Sequence, residues 1–254
     1  MGVQDHYDIR GGWRLQSEDL RFGSDSVPDE VRAPYLAYEH LLQSLPGDTQ
    51  ILDLCCGDGV HSIFPAKLGM NVFGIDLSPE SIKAARWLSS SQKVDSLCQF
   101  ESGDALEFLQ KNQSQFDLIF ISGSLYYFNL EDILPLIKQS LKPGGLFVCV
   151  GTNGDNLLTN LYRNIKQALT SYRDPRTLNN LLKRSDLAQL QKSFPSHQLE
   201  YFGFLALITR WAPKALGIKS LLARILNPVD HWLLNGFGLH FLGFKFFFWG
   251  KNEQ

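Results

Sequence analysis

The sequence is short of several things, and each shortage removes a class of protein. It has only four cysteines, Cys55, Cys56, Cys98 and Cys149, with no CxxC pair and no Cys/His spacing suited to a metal. Three of the four lie in apolar runs that read as strands, and the adjacent Cys55 and Cys56 have poor geometry for a mutual disulfide. The expectation is reduced thiols, no metal and a cytoplasmic setting. No run of 18 or more apolar residues occurs, which argues against a transmembrane helix. The first 14 residues carry charge and no apolar h-region, so no secretory signal is read. Positive charge is not in excess: 24 Lys and Arg face 26 Asp and Glu, which disfavours a general nucleic-acid binder. Internal repeats and low-complexity tracts are also missing.

What is present is enough apolar material, 44% of 254 residues, for a sizeable core. Residues 1–27, with Gly11-Gly12 and several charges, read as irregular. A helix is expected from near Ser26 to about Leu45, with Pro28 in its first turn and Pro46-Gly47 as its end. Short apolar strands are then expected at 51–56, 71–75, 97–101, 117–121 and 146–150, with helical patterns between them. Val60, Ile63, Phe64 and Leu68 have helical spacing, with Pro65 predicting a kink, and Ser78-Pro79-Glu80 is a strong helix start. This alternation implies an α/β doubly wound, mostly parallel sheet with helices on both faces. After Gly151 the rhythm changes. Residues 156–192 read as two helices broken near Asp174-Pro175, 199–208 as a strand and 244–249 as a closing strand.

In such a sheet, ligands bind beyond the carboxyl ends of the strands, where the strand order reverses. The first strand and its turn read Ile51-Leu52-Asp53-Leu54-Cys55-Cys56-Gly57-Asp58-Gly59. Gly57 and Gly59 allow a sharp turn and close approach of a ligand. Asp53 is an acid in an apolar strand and needs a partner. The ammonium of a bound amino acid would serve, as would groups of the protein itself. Asp76 ends the second strand, 17 residues after Gly59, where a carboxylate can accept both hydroxyls of a ribose. Asp104, in Ser102-Gly103-Asp104-Ala105, can accept from an exocyclic amine such as that of adenine or cap the next helix.

These residues resemble class I S-adenosylmethionine-dependent methyltransferases. Asp53 to Gly59 is similar to that family's first motif, Asp76 to its ribose-binding acid and Gly103-Asp104-Ala105 to its adenine-side motif. Phe116-Asp117-Leu118-Ile119-Phe120 is similar to its fourth strand, and Leu141-Lys142-Pro143-Gly144-Gly145 to the turn before its fifth. The resemblance covers roughly residues 28–151 and implies a seven-stranded sheet, its last strand antiparallel. It also implies a cofactor site made by Asp53, Cys55, Gly57, Gly59, Asp76, Leu77, Asp104, Ala105 and Ser122. One departure is Cys55, which stands where the family has its first glycine. Gly57 to Ser62 is also a loose dinucleotide fingerprint, but Asp53, Asp104 and the Lys-Pro-Gly-Gly turn favour the methyltransferase. The organisation expected is a single domain over 1–254. It comprises a helical cap (1–48), a cofactor-binding core (49–151) and a C-terminal half (152–254) with a helical insertion at 210–242.

The catalytic candidates are His61, Tyr126, Tyr127 and His231. Each also has a plainer reading, as a packing or solvated side chain, and the Asp230-His231 pair invites a general-base role that a structural pair does not need. There is no Asp/Asn-Pro-Pro-Tyr/Phe run of the kind that serves amide or nucleobase nitrogen. The loop Ser122 to Tyr127 resembles that of small-molecule and quinone-type enzymes. The expected acceptor is a small, lipophilic molecule methylated at oxygen, and the other reading is a non-catalytic binding protein of the same fold. In the insertion, Ile218, Leu221, Leu222 and Ile225 form an apolar stripe among Lys214, Lys219 and Arg224. The stripe suits either a lid or peripheral membrane contact, or a helix packed on the sheet with its basic side in water.

Overall fold

A computed structural model describes residues 3–161, 181–211 and 218–253. Five strands carry the parallel part of the sheet: β1 (Gln50–Leu54), β2 (Asn71–Asp76), β3 (Cys98–Ser102), β4 (Phe116–Ser122) and β5 (Leu141–Thr152). β6 (His197–Phe202) and β7 (Lys245–Lys251) complete it in the order β3-β2-β1-β4-β5-β7-β6. β7 is antiparallel to both β5 and β6, so β6 runs the same way as β1 to β5. β1 pairs with β2 on one side and β4 on the other. The order therefore reverses between β1 and β4, and their carboxyl ends mark the crevice where this fold binds ligands.

Alternation of side chains sorts the core onto two faces. Leu118, Phe120, Val148, Val150 and Phe247 pack under α2 (Ala33–Gln43), where Tyr38 stacks on Phe120 at 3.9 Å. Ile119, Ile121, Phe147, Cys149, Phe246 and Phe248 pack against the other face. There they meet α5 (Ala105–Lys111), α6 (Leu130–Ser140) and α7 (Arg184–Ser193). Burial on both sides is why the central strands are continuous apolar runs rather than alternating ones.

Several boundaries differ from the sequence expectation. The amino terminus is not irregular: Val3–Ser17 forms α1. Of its Gly11-Gly12 pair, Gly11 is required by packing, while Gly12 has open space around it. A Cβ on Gly11 would lie 2.6 Å from the Glu80 carbonyl carbon and the Ser81 nitrogen, at the start of α4 (Pro79–Ser91). The helix expected from Ser26 begins at Ala33, because residues 23–31 are taken into two 3-10 turns. The buried Glu39 carboxylate holds the first of these, accepting from Ser24 N–H at 2.6 Å and Ser24 Oγ–H at 2.8 Å.

The helix expected around Val60 to Leu68 is only the short α3 (Ile63–Lys67). The strand expected over 199–208 ends at Phe202, and Leu205–Trp211 is a 3-10 helix. Of the two helices expected over 156–192, the break near Asp174-Pro175 lies outside the described residues. Ser78 caps α4 as expected, accepting from Ser81 N–H. No helix among the described residues is long and apolar enough to cross a membrane.

Candidate active site

The turn after β1 is built from three left-handed residues, Cys55 (φ 59°), Gly57 (φ 54°) and Gly59 (φ 72°). Gly59 is needed for packing as well as for its φ, since a Cβ there would sit 2.7 Å from Ala85 Cβ on α4. Around Gly57 an added Cβ would meet nothing within 4 Å, so the backbone faces open space of the kind a ligand can enter. The buried Asp76 carboxylate fixes this turn. Its Oδ2 accepts from Gly57 N–H and its Oδ1 from Ser78 N–H, both at 2.9 Å. Each oxygen keeps a lone pair, enough for the two hydroxyls of a ribose. Beside it Leu77 is 50% exposed, an apolar surface fit for the face of a base.

Asp53 lies beneath the turn, 3% exposed, and accepts from Ser62 Oγ–H at 2.6 Å. Burial pushes its carboxyl up to about 7. The Ser62 hydrogen bond pulls it down, and the neighbouring Asp76 and Asp58 push it up further. Asp104 caps α5 through Oδ1 alone, accepting from the N–H groups of Leu106 and Glu107, which leaves Oδ2 for an amine. Ala105 follows as the first residue of α5. Open backbone at Gly57, the Asp76 carboxylate and exposed Leu77 together fit an adenosyl amino acid.

α1 crosses this crevice. Arg14 Nε donates to Asp58 Oδ2 at 2.5 Å, both side chains buried, and Asp8 accepts from Ser78 Oγ–H. Neither Arg14 nor Asp58 was singled out from sequence. Asp58 lay within the motif, but nothing near Arg14 signals its partner 44 residues away.

At the end of β4, Ser122 Oγ lies 3.2 Å from the hydroxyl of Tyr35 on α2. His61 stacks on Tyr35 at 4.6 Å, edge-on to Phe120. Burial lowers His61 to about 4, against the pull of Asp58 and with help from Arg10, Lys245 and Arg14, so the ring is neutral at pH 7. A group that weakly basic is a poor general base. Lys245, the first residue of β7, holds its ammonium 6.0 Å from the Tyr35 ring centroid. Tyr35 and Lys245 were missed in the sequence. The pairing of Thr152 with Lys245, which puts the start of β7 at the carboxyl end of β5, is the signal that would have found Lys245. Tyr126 and Tyr127 face one another at 4.3 Å with their hydroxyls 3.1 Å apart.

Asp230 and His231 direct their contacts to other groups rather than to each other. Asp230, 1% exposed, spends both oxygens on the N–H groups of Phe204, Leu205 and Ala206. His231 is exposed, and its Nδ1 lies 3.6 Å from Glu200. A groove lined by Leu45, Asp48, Asp117, Lys142 and Trp249 lies at the opposite end of the strands from the Gly57 turn, and of the motifs it takes only Asp117 and the Lys142-Pro143-Gly144-Gly145 turn.

A family model described as a methyltransferase domain matches residues 46–202, more than half of the chain. The chain belongs to the S-adenosylmethionine-dependent methyltransferases. This methyltransferase is 33% identical over 133 residues to an uncharacterized methyltransferase of Synechocystis sp., covering 51% of the chain and 58% of that protein. It is 33% identical over 105 residues to a demethylmenaquinone methyltransferase of Leptospira interrogans, covering 40% and 42%. It thus spans about half the length of these curated relatives. Geranyl diphosphate C-methyltransferase from Streptomyces coelicolor shares the fold at TM-score 0.58 and 14% identity, over 85% of this chain and 80% of that one. The shared fold and family carry S-adenosylmethionine as the cofactor of the methyltransferase.

Cys55 is the methyltransferase's departure at this turn, and its φ of 59° gives the reason glycine suits the position. An L-residue in that region carries about 1–2 kcal/mol of strain. Replacing it with glycine relieves that strain and offsets it with about 0.5–1 kcal/mol of extra chain entropy. Cys55→Gly is therefore expected to leave the melting temperature nearly unchanged and the affinity for S-adenosylmethionine equal or tighter, by calorimetric titration. A clear loss of affinity would show that the thiol makes a needed contact.

Proposed function

We propose that this chain transfers the methyl group of S-adenosylmethionine to an oxygen of a small, lipophilic acceptor. The observation that carries the reading is the polar group on the α2 side of the crevice: Tyr35 hydroxyl against Ser122 Oγ, with the Lys245 ammonium above the same ring. Bound S-adenosylmethionine supplies an already activated methyl group. The chain's own part is then to hold the acceptor in line and to favour its deprotonated oxygen. Among the described residues Lys245 has no carboxylate within 4 Å, so its charge is available to an oxyanion. Tyr35 and His61 give the acceptor aromatic walls rather than a base. The relative named for demethylmenaquinone supports a lipophilic ring as the acceptor type. In this reading Asp53, Cys55, Gly57, Gly59, Asp76, Leu77, Asp104 and Ala105 hold the cofactor, and Ser122 lies between cofactor and acceptor.

The test is release of S-adenosylhomocysteine with a panel of phenols and quinols, the product's methylated atom being read by NMR. Lys245→Met is expected to lower kcat/KM on a phenolic acceptor by roughly 100-fold, the scale of losing one oxyanion partner. The acidic limb of the pH profile should move upward while cofactor affinity holds. An unchanged rate and profile would remove Lys245 from the reaction. Cofactor binding without turnover of any acceptor would favour the non-catalytic reading.

A further inference from the structure

The segment between β6 and β7 does not bury the apolar stripe of its helix against the sheet. α8 (Ile218–His231) turns Ala223 and Asp230 inward, and Leu234 follows at 0% exposed. Lys219 also turns in, its ammonium 3.0 Å from the buried Glu30. Leu221, Ile225, Val229 and Trp232, spaced along one helical face, are 59%, 57%, 41% and 60% exposed. Phe237 and Phe241 extend the face at 61% and 49%, with Trp232 edge-on to Phe237 at 4.4 Å. Contiguous exposed aliphatic and aromatic side chains of this kind mark an interaction surface.

The charge of the segment selects the partner. The segment between the two strands, residues 203–244, contains four Lys and Arg, at 210, 214, 219 and 224, and a single acid, Asp230. That acid is buried on three backbone N–H groups and shows no charge to solvent. The remainder of the chain has 20 Lys and Arg against 25 Asp and Glu. The segment thus has an excess of positive charge: Arg210 and Lys219 share the one carboxylate of Glu30, and Arg224 lies exposed on the helix that carries the apolar face. β6 runs parallel to β1 and β4, so this segment leaves the sheet at the same edge as the Gly57 turn.

We propose that the face formed by Leu221, Ile225, Val229, Trp232, Phe237 and Phe241 docks on an anionic lipid surface. The apolar side chains enter the acyl boundary, Trp232 sits at headgroup depth and Arg224 meets lipid phosphates. The proposal rests on exposure and charge alone, and stands whether or not the acceptor reading holds.

The test is co-sedimentation of the full chain with vesicles of phosphatidylcholine, alone or mixed with phosphatidylglycerol. Binding is expected to the mixed vesicles, to weaken with salt, and to fall roughly fivefold in Arg224→Gln. Trp232→Ser with Phe237→Ser should reduce it roughly tenfold or more. These side chains are exposed, so cofactor affinity should not change in the variants, which separates loss of docking from loss of fold or of the methyltransferase site. Absence of vesicle binding, or binding equal in all variants, overturns the proposal. So does a dimer in size-exclusion chromatography that Ile225→Asp splits without any vesicle binding, which would assign the face to a second copy of the chain.

Discussion

Asp230→Ala should lower the stability of the folded chain by about 3–5 kcal/mol, the scale seen when a buried charged partner is removed. The carboxylate gathers three consecutive N–H groups, from Phe204 at 2.9 Å, Leu205 at 2.7 Å and Ala206 at 2.9 Å, as the chain leaves β6 for the 3-10 helix. Ala206 is fully buried, so water cannot replace the lost acceptor there. Urea unfolding should show a lower midpoint at unchanged slope. Asp230→Asn keeps one acceptor oxygen and should fall between. His231→Ala should change neither stability nor turnover by much, because the ring is exposed and its neighbours are Glu200, Asn235 and the ring of Phe202. Were the pair a general-base dyad, the order would invert: His231→Ala would abolish turnover in a protein of normal stability.

That residue also shows where sequence reading stops. An Asp next to a His is a local pattern, but the groups Asp230 satisfies lie 24 to 26 residues earlier in the chain. Nothing in the local spacing points to them. The same holds for Gly11, which looks like a helix breaker until the backbone of Glu80 and Ser81 is laid against it. Glu39 likewise pulls Ser24 into a 3-10 turn from 15 residues away and so delays the helix. What was legible was chemistry complete within a few residues: the apolar strands, the Ser78 cap with Pro79, and the turn from Asp53 to Gly59. The direction of the stripe on α8 was not legible. Periodicity reports that one face of a helix is apolar, and only the placement of Ala223, Asp230 and Lys219 decides which face turns inward.

Asp53 should make both stability and cofactor affinity depend on pH around neutrality. In the unfolded chain its carboxyl ionises near 4, whereas burial raises it to about 7 in the folded chain. An acid with a raised folded pKa keeps its proton in the folded state after the unfolded chain has released it. Stability therefore falls as pH climbs from about 4 to about 7, by on the order of 4 kcal/mol, and is then flat with respect to this group. Asp53→Asn should remove that fall and leave a protein more stable than the parent at pH 8, with Ser62 Oγ–H still donating to the amide oxygen. Binding works in the opposite sense. If the cofactor's ammonium lies beside Asp53, it favours the ionised carboxylate, so binding below pH 7 releases a proton. Affinity should rise by up to tenfold per pH unit toward pH 7 and level off above it, until the cofactor's own ammonium titrates near pH 8. Asp76 and Asp58 also face this carboxyl and add to its rise, Asp58 while paired with Arg14. Calorimetry in buffers of different ionisation heat should give close to one proton released at about pH 6, falling toward none at about pH 7.5, and no release over that range in Asp53→Asn. The same slope in that variant would place the titrating group elsewhere and leave Asp53 a structural acid held by Ser62.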